Sequence, residues 1–249
     1  MTGPMLEAIE IGKSLGTGAG KFQALNTVNL AIAGGDLTLL MGPSGSGKTT
    51  LLSILGCMLT PSSGTVRVHG QSTAGMKAEE LAKLRRDCIG FVFQSYHLFP
   101  TLTAIDNVRV ALDIRGEGSE RSTKRATEVL AIVGLADKAG SYPRELSGGE
   151  QQRVAIARAI VGDPSVILAD EPTASLDAEN GHAVMSVLAQ IARNPARGLL
   201  VVSHDPRIVE FADRIVGIED GSIVSDNRPF HSKAVASKVQ GPSSCQNAS

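Results

Sequence analysis

The sequence predicts a doubly wound α/β core with a mostly helical lobe inserted into it. Strand-like runs recur with glycine punctuation at 36–41, 89–93, 165–169, 199–203 and 214–218. Several are continuously apolar instead of alternating, as strands buried on both faces of a mainly parallel sheet require. Helix-period stretches separate them, and from Ser95 to about Gly162 that period takes over.

In chain order, Asp36–Met41 reads as a buried strand and Thr50–Leu55 as the start of a helix. Lys77–Asp87 is helical, with Leu81 and Leu84 spaced for one face, and Ile89–Phe93 returns to strand. Within 95–162 the helical period is broken by a polar stretch, Gly116–Ser122, and by a turn at Tyr142 and Pro143. Ser165–Ala169, the helix Ala178–Ala192, Leu199–Ser203 and Arg214–Ile218 complete the core. The expected division is therefore 1–94 with 163–226 for the core, and 95–162 for the inserted lobe. Residues 227–249 are polar, Ser-rich and aperiodic, and read as a disordered tail. That tail holds Arg228, Lys233 and Lys238 and no acid, so attraction to anionic lipid and a merely unconstrained chain both stay open.

Composition excludes several classes. With 42% hydrophobic and 20% charged residues in 249, there is ample material for a core. Basic residues number 24 against 25 acidic, so no basic excess marks a nucleic-acid surface. Aromatics are 3% with no Trp, which argues against base-stacking platforms, and no nucleic-acid partner is expected. The longest nearly apolar runs, Leu51–Leu59 and Val129–Ala136, fall far short of the ~18 residues that suggest a membrane span. Met1–Ile11 lacks the apolar stretch of a secretory signal, so a cytosolic chain is expected. Cys57, Cys88 and Cys245 are far apart and form no CxxC pair, which argues for reduced thiols and against zinc or a disulfide framework.

The strongest motif is Gly42-Pro43-Ser44-Gly45-Ser46-Gly47-Lys48-Thr49, a complete GxxxxGK[ST] with a strand before it and a helix after. Its glycines let the loop curl until successive N–H groups face one anion at a helix N-terminus. Lys48 then reaches the outer phosphates of a nucleoside triphosphate, and the Thr49 hydroxyl can ligate Mg²⁺. A second apolar strand, Val166–Ala169, ends in Asp170-Glu171. Asp170 is placed to hold the metal, and Glu171 to orient or deprotonate the attacking water. Further along, Leu146-Ser147-Gly148-Gly149-Glu150-Gln151-Gln152-Arg153 reads as a capped helix start, with Ser147 and Glu150 spaced for a capping box.

That last string resembles the signature motif of ATP-binding-cassette (ABC) ATPases. The remaining motifs of the family follow in order: Gln94 after Phe91-Val92-Phe93 resembles the Q-loop, Ser175-Leu176-Asp177 the D-loop, and His204 the switch histidine. The likeness covers roughly residues 5–226. Gly90–Gln94, Arg153–Ala159 and Leu168–Thr173 look like the macrolide-exporter and lipoprotein-releasing group, and Ser203–Asp205 with Phe211–Arg214 like members that work with a periplasmic adaptor.

The resemblance implies an ABC-type fold with an N-terminal antiparallel β lobe beside the parallel core. It implies a homodimer in the ATP state, head to tail, each ATP lying between the phosphate loop of one chain and Ser147, Gly148 and Gly149 of the other. The implied catalytic set is Glu171, His204, Lys48 and Gln94. Nucleotide contacts are implied for Gly42 through Thr50, with Gln94 and Asp177, and Mg²⁺ contacts for Thr49, Gln94 and Asp170. Partners would be integral-membrane permease subunits, with a periplasmic adaptor beyond them, and the chain would sit at the cytoplasmic face of the inner membrane. A regulatory envelope complex of the cell-division type remains the alternative to export or extraction. Ser95–Phe99 resembles the lining of a groove for a permease's cytoplasmic helix, with ordinary core packing an equal reading.

Two positions depart from the family pattern. Leu15 aligns where an aromatic residue usually stacks on adenine, and Phe22 in the same loop is the other candidate for that contact. Glu150 stands where Gln is common; either completes a capping box.

Overall fold

The computed structural model describes residues 3–229. Strands β1 (Leu6–Leu15) and β2 (Phe22–Ile32) are followed by β3 (Leu37–Met41), helix α1 (Lys48–Leu55), β4 (Ser63–Val68) and β5 (Gln71–Ser72). Then come α2 (Ala78–Cys88), β6 (Ile89–Val92), α3 (Ala104–Asp113), α4 (Ser119–Ile132) and α5 (Gly148–Ile160). The chain closes with β7 (Val166–Asp170), α6 (Ala178–Ala192), β8 (Gly198–Ser203), β9 (Arg214–Glu219) and β10 (Ser222–Asn227).

Two sheets result. The core sheet has the order β10-β9-β3-β8-β7-β6, parallel throughout except for β10, which pairs antiparallel with β9. The smaller sheet, β2-β1-β4-β5, is antiparallel. The continuous apolar runs have the expected cause: core strands send alternate residues into two separate cores. Leu39, Ile167, Ala169, Leu199 and Val201 pack with α3 through α6, whereas Leu40, Val166, Leu168, Leu200 and Val202 pack with α1, α2 and the antiparallel sheet. The antiparallel sheet thus covers one face of the core, in agreement with the β lobe that the family likeness implies.

Strand register positions the site. Met41 pairs with Ser203, Asp170 with Val202, and Val92 with Ala169. The carboxyl ends of β3, β8, β7 and β6 therefore lie in one row, the edge where open α/β sheets bind ligands.

Two expectations are corrected. The polar stretch 116–122 is not a break throughout, because α4 begins at Ser119, with Gly118 before it as its cap residue. The buried face of α4 runs Ser122, Ala126, Val129, Leu130, and a serine in its first buried position hides the helical period. Nor does order end before Asn227, which closes β10 opposite Ile215. The Arg214 guanidinium grips Asp226 at 2.6 and 2.7 Å, and Arg228 reaches Asp36 at 2.8 Å. The disorder expected of 230–249, and Cys245 with it, lies outside the described residues.

Close backbone approach yields a stability prediction at Gly90 in β6. A Cβ built there would stand 2.3 Å from the Ala159 carbonyl oxygen of α5 and 3.0 Å from Pro164. Gly90→Ala is expected to cost about 1–3 kcal/mol by overpacking. A urea unfolding midpoint equal to that of the unsubstituted chain would contradict so tight a contact.

Candidate nucleotide site

The phosphate loop leaves β3 at Gly42, where a Cβ would fall 2.0 Å from the Ile218 carbonyl of β9, so only glycine lets the loop depart so close to the sheet. Gly45 (φ +81°) and Gly47 (φ +98°) hold left-handed conformations, and Gly47 caps α1. A Cβ on Gly45 would meet nothing within 4 Å, so its left-handed backbone and not crowding is what calls for glycine there. Lys48, the first residue of α1, is 8% exposed, and its Nζ donates to the carbonyls of Gly42 and Pro43, both at 2.7 Å. The Ser46 hydroxyl is buried without a hydrogen-bond partner among the described residues.

Around this loop lies a cavity of about 740 Å³, lined by Leu15, Phe22, Ala24, Pro43–Gly45, Gly47–Thr50, Gln94, Glu171 and His204. Leu15 and Phe22 are register partners at the end of the β1–β2 ladder and form its apolar wall. Phe22 is 59% exposed, so its ring has a free face.

The acidic pair sits at the end of β7. The Thr49 hydroxyl approaches Asp170 Oδ1 at 3.5 Å, a long contact. Burial, and then the neighbouring Glu171 charge, push the Asp170 carboxyl above the usual carboxylate range. A divalent cation would relieve both penalties. Glu171 is held from three directions. Its N–H donates to Val202 O at 2.9 Å, the Ser203 hydroxyl donates to Oε2 at 3.2 Å, and His204 Nδ1 donates to Oε1 at 2.7 Å. Its backbone is left-handed (φ +46°), uncommon for a residue with a side chain and a mark of functional loops. The Glu171 side chain is 13% exposed and that of His204 67%, so the carboxylate is sheltered while the imidazole faces outward. With Nδ1–H turned to a carboxylate, the outer ring nitrogen of a neutral imidazole is the acceptor.

The predicted residues fall into two groups. Gly42 through Thr50, Gln94, Asp170, Glu171, His204, Leu15 and Phe22 gather at the cavity or against it. Ser147, Gly148, Gly149 and Asp177 do not line it. They stand together elsewhere: Gly149 in the first turn of α5 would bring a Cβ within 2.4 Å of Asn180 Oδ1, and Asp177 caps α6 by accepting from Asn180 N at 2.8 Å. The capping box forms as its spacing predicts. Ser147 Oγ accepts from Glu150 N at 3.2 Å, and Glu150 Oε2 from Ser147 N at 2.8 Å, which holds the Glu150 carboxyl low. Within 95–99, Leu98 packs on the core and Phe99 is 48% exposed.

Sequence reasoning assigned no role to Ser203, whose place beside His204 was its one signal. Ala24, also on the cavity wall, carries no chemical signal at all. Burial pushes the Cys57 thiol up to about 11, so it stays protonated at neutral pH.

The description "ABC transporter" belongs to the family model that matches residues 25–174. The chain is 44% identical over 225 residues to the macrolide export ATP-binding/permease protein MacB 1/2 of Paracoccus denitrificans, covering 90% of this chain but 34% of that protein. It thus spans about a third of the length of that relative. It is 43% identical over 225 residues to the lipoprotein-releasing system ATP-binding protein LolD of Bordetella pertussis, covering 90% of this chain and 97% of that one. Among solved structures, the ATP-binding cassette MJ0796, dimeric in a post-hydrolysis state bound to ADP and Pi, superposes with a TM-score of 0.82 at 39% identity, covering 90% of this chain and 98% of that one. The chain belongs to the ABC transporter family and is an ATP-binding, ATP-hydrolysing subunit of that class.

Proposed function

We propose that this ATPase powers export or extraction through a permease carried on a separate chain, as a homodimer that closes head to tail on ATP. One observation carries the proposal. The phosphate loop, Gln94 and Glu171 line one cavity, while the Ser147–Gly149 turn stands outside it. A helix N-terminus rich in N–H groups is apt for a γ-phosphate, and a second copy can bring one to this cavity. Among the described residues no helix is long and apolar enough to cross a membrane.

In this reading the phosphate loop and Lys48 hold the phosphates, and Thr49, Asp170 and Gln94 hold Mg²⁺. The cavity along the loop and the penalised Asp170 charge both suit these groups. Mg²⁺ would supply charge neutralisation at the outer phosphates. Glu171 accepts a proton from the attacking water, Ser203 and His204 keep its carboxylate aimed, and Asp177 lies at the dimer seam.

The likeness to a protein named for lipoprotein release and to one named for macrolide export favours an envelope transporter. The proposed location is the cytoplasmic face of the inner membrane, with the permease as the direct partner and a periplasmic adaptor beyond it. Affinity purification of the full chain from membranes tests this, with partner chains identified by mass spectrometry. A permease with a large periplasmic domain, together with an adaptor, is the expected result; recovery without any integral-membrane chain would sink the reading.

The adenine contact is proposed for Phe22, because its ring is the exposed aromatic face on the cavity wall. Phe22→Ala should weaken ATP binding by about 1–3 kcal/mol, the usual worth of stacking on a base. Leu15→Tyr should then add little. Calorimetry showing unchanged affinity in Phe22→Ala and tighter binding in Leu15→Tyr would move the contact to Leu15.

A further inference from the structure

The segment that follows Gln94 contains two consecutive left-handed residues with side chains, Tyr96 (φ +59°) and His97 (φ +48°). Such backbone is disfavoured and persists only where its surroundings hold it. Arg158, ten residues into α5, does the holding. Its Nη2 donates to Tyr96 O at 2.7 Å and its Nη1 to His97 O at 2.5 Å. A guanidinium presents a planar fork of donors, which two adjacent carbonyls can accept only when the peptide between them is turned as it is here. The group is partly buried, and that desolvation lowers its pKa.

The same helix meets the same segment a second time. Gly148, in the first turn of α5, would place a Cβ 3.0 Å from Tyr96 Oη and 3.3 Å from Leu176 Cδ2. The Tyr96 backbone is therefore tied to one end of α5 and its hydroxyl rests on the other, about 15 Å away at the helical rise.

We propose that Arg158 is a positioning residue for ATP hydrolysis, its guanidinium bridging the Tyr96 and His97 carbonyls so that the segment carrying Gln94 and the helix beginning at Ser147–Gly149 move as one body. This rests on the reading of Gln94 and Ser147–Gly149 as nucleotide-facing groups. Through the clamp, a shift of Gln94 at one nucleotide becomes a shift of the helix start that faces the partner's nucleotide. Without it, residues 96 and 97 relax toward negative φ and Gln94 loses its place.

The test is a double-mutant cycle on the full chain, with kcat read from steady-state hydrolysis and ATP affinity from calorimetry. Arg158→Met should lower kcat about 10- to 100-fold, the usual consequence of a misplaced contact at a reacting centre. ATP affinity should fall much less than kcat, because the phosphate loop, Thr49 and Asp170 are untouched even as Gln94 shifts. Arg158→Lys keeps the charge but not the fork and should fall between. Groups that act as a unit are not additive, so in a Gln94→Ala background Arg158→Met should remove less than about twofold more. A residue needed only for folding would instead multiply its loss with that of Gln94→Ala, and that result would overturn the proposal. If thermal melts show Arg158→Met unfolded, Arg158→Lys runs the same cycle with the same two outcomes. Wild-type kcat in either folded Arg158 variant also overturns it. Gln94→Ala hydrolysing at the wild-type rate would strike the nucleotide-facing reading of Gln94 itself, a failure separable from additivity.

Discussion

Glu171→Gln is expected to slow ATP hydrolysis by about 10²–10⁴-fold, the range for loss of a general base. The substitution keeps the size of the side chain, and its amide oxygen can still accept from one of Ser203 and His204, which stand 3.2 and 2.7 Å from the two carboxylate oxygens. What disappears is the negative charge and the ability to accept a proton from water. Lys48, Thr49 and Asp170 are untouched, so phosphate and Mg²⁺ binding should survive and the ATP-bound dimer should accumulate. Gel filtration with ATP should then show a dimer that ADP does not support. Adding Ser147→Arg should break that dimer, because bulk and charge would enter where the partner's γ-phosphate is proposed to sit. Wild-type turnover in Glu171→Gln would remove Glu171 as the base, whereas a dimer indifferent to Ser147→Arg would defeat the head-to-tail arrangement.

The second large effect is at Lys48. Its ammonium donates to the Gly42 and Pro43 carbonyls at 2.7 Å, which holds it against the loop proposed to bind phosphate. Lys48→Ala should weaken ATP binding by about 1.5–3 kcal/mol, the worth of a charge-assisted contact, or on the order of 10- to 150-fold in Kd. Hydrolysis should fall with it. Helix α1 should tolerate the change, since alanine is a strong helix former. Calorimetry giving an unaltered Kd would contradict the assignment of this loop to phosphate.

Local rules determined the parts of this protein that short stretches of chain can specify. Apolar runs such as Val166–Ala169 suit strands covered on both faces, and the GxxxxGK[ST] spacing suits a loop between a strand and a helix, as Gly42–Gly47 forms between β3 and α1. Ser147 and Glu150 form their capping box because it needs nothing beyond a separation of three residues. The tertiary structure decided what depends on distant segments. That β9 lies beside β3, across 172 or more residues of chain, follows from sheet pairing that no local pattern encodes. The antiparallel sheet is of this kind too, since β1 must pair with both β2 and β4, and the short β5 has no period of its own. Only the fold puts Phe22 opposite Leu15 on the cavity wall, turns the Ser203 hydroxyl onto Glu171, and lays Arg158 across the Tyr96 and His97 carbonyls. Each is a contact between residues whose own neighbourhoods would read the same without it.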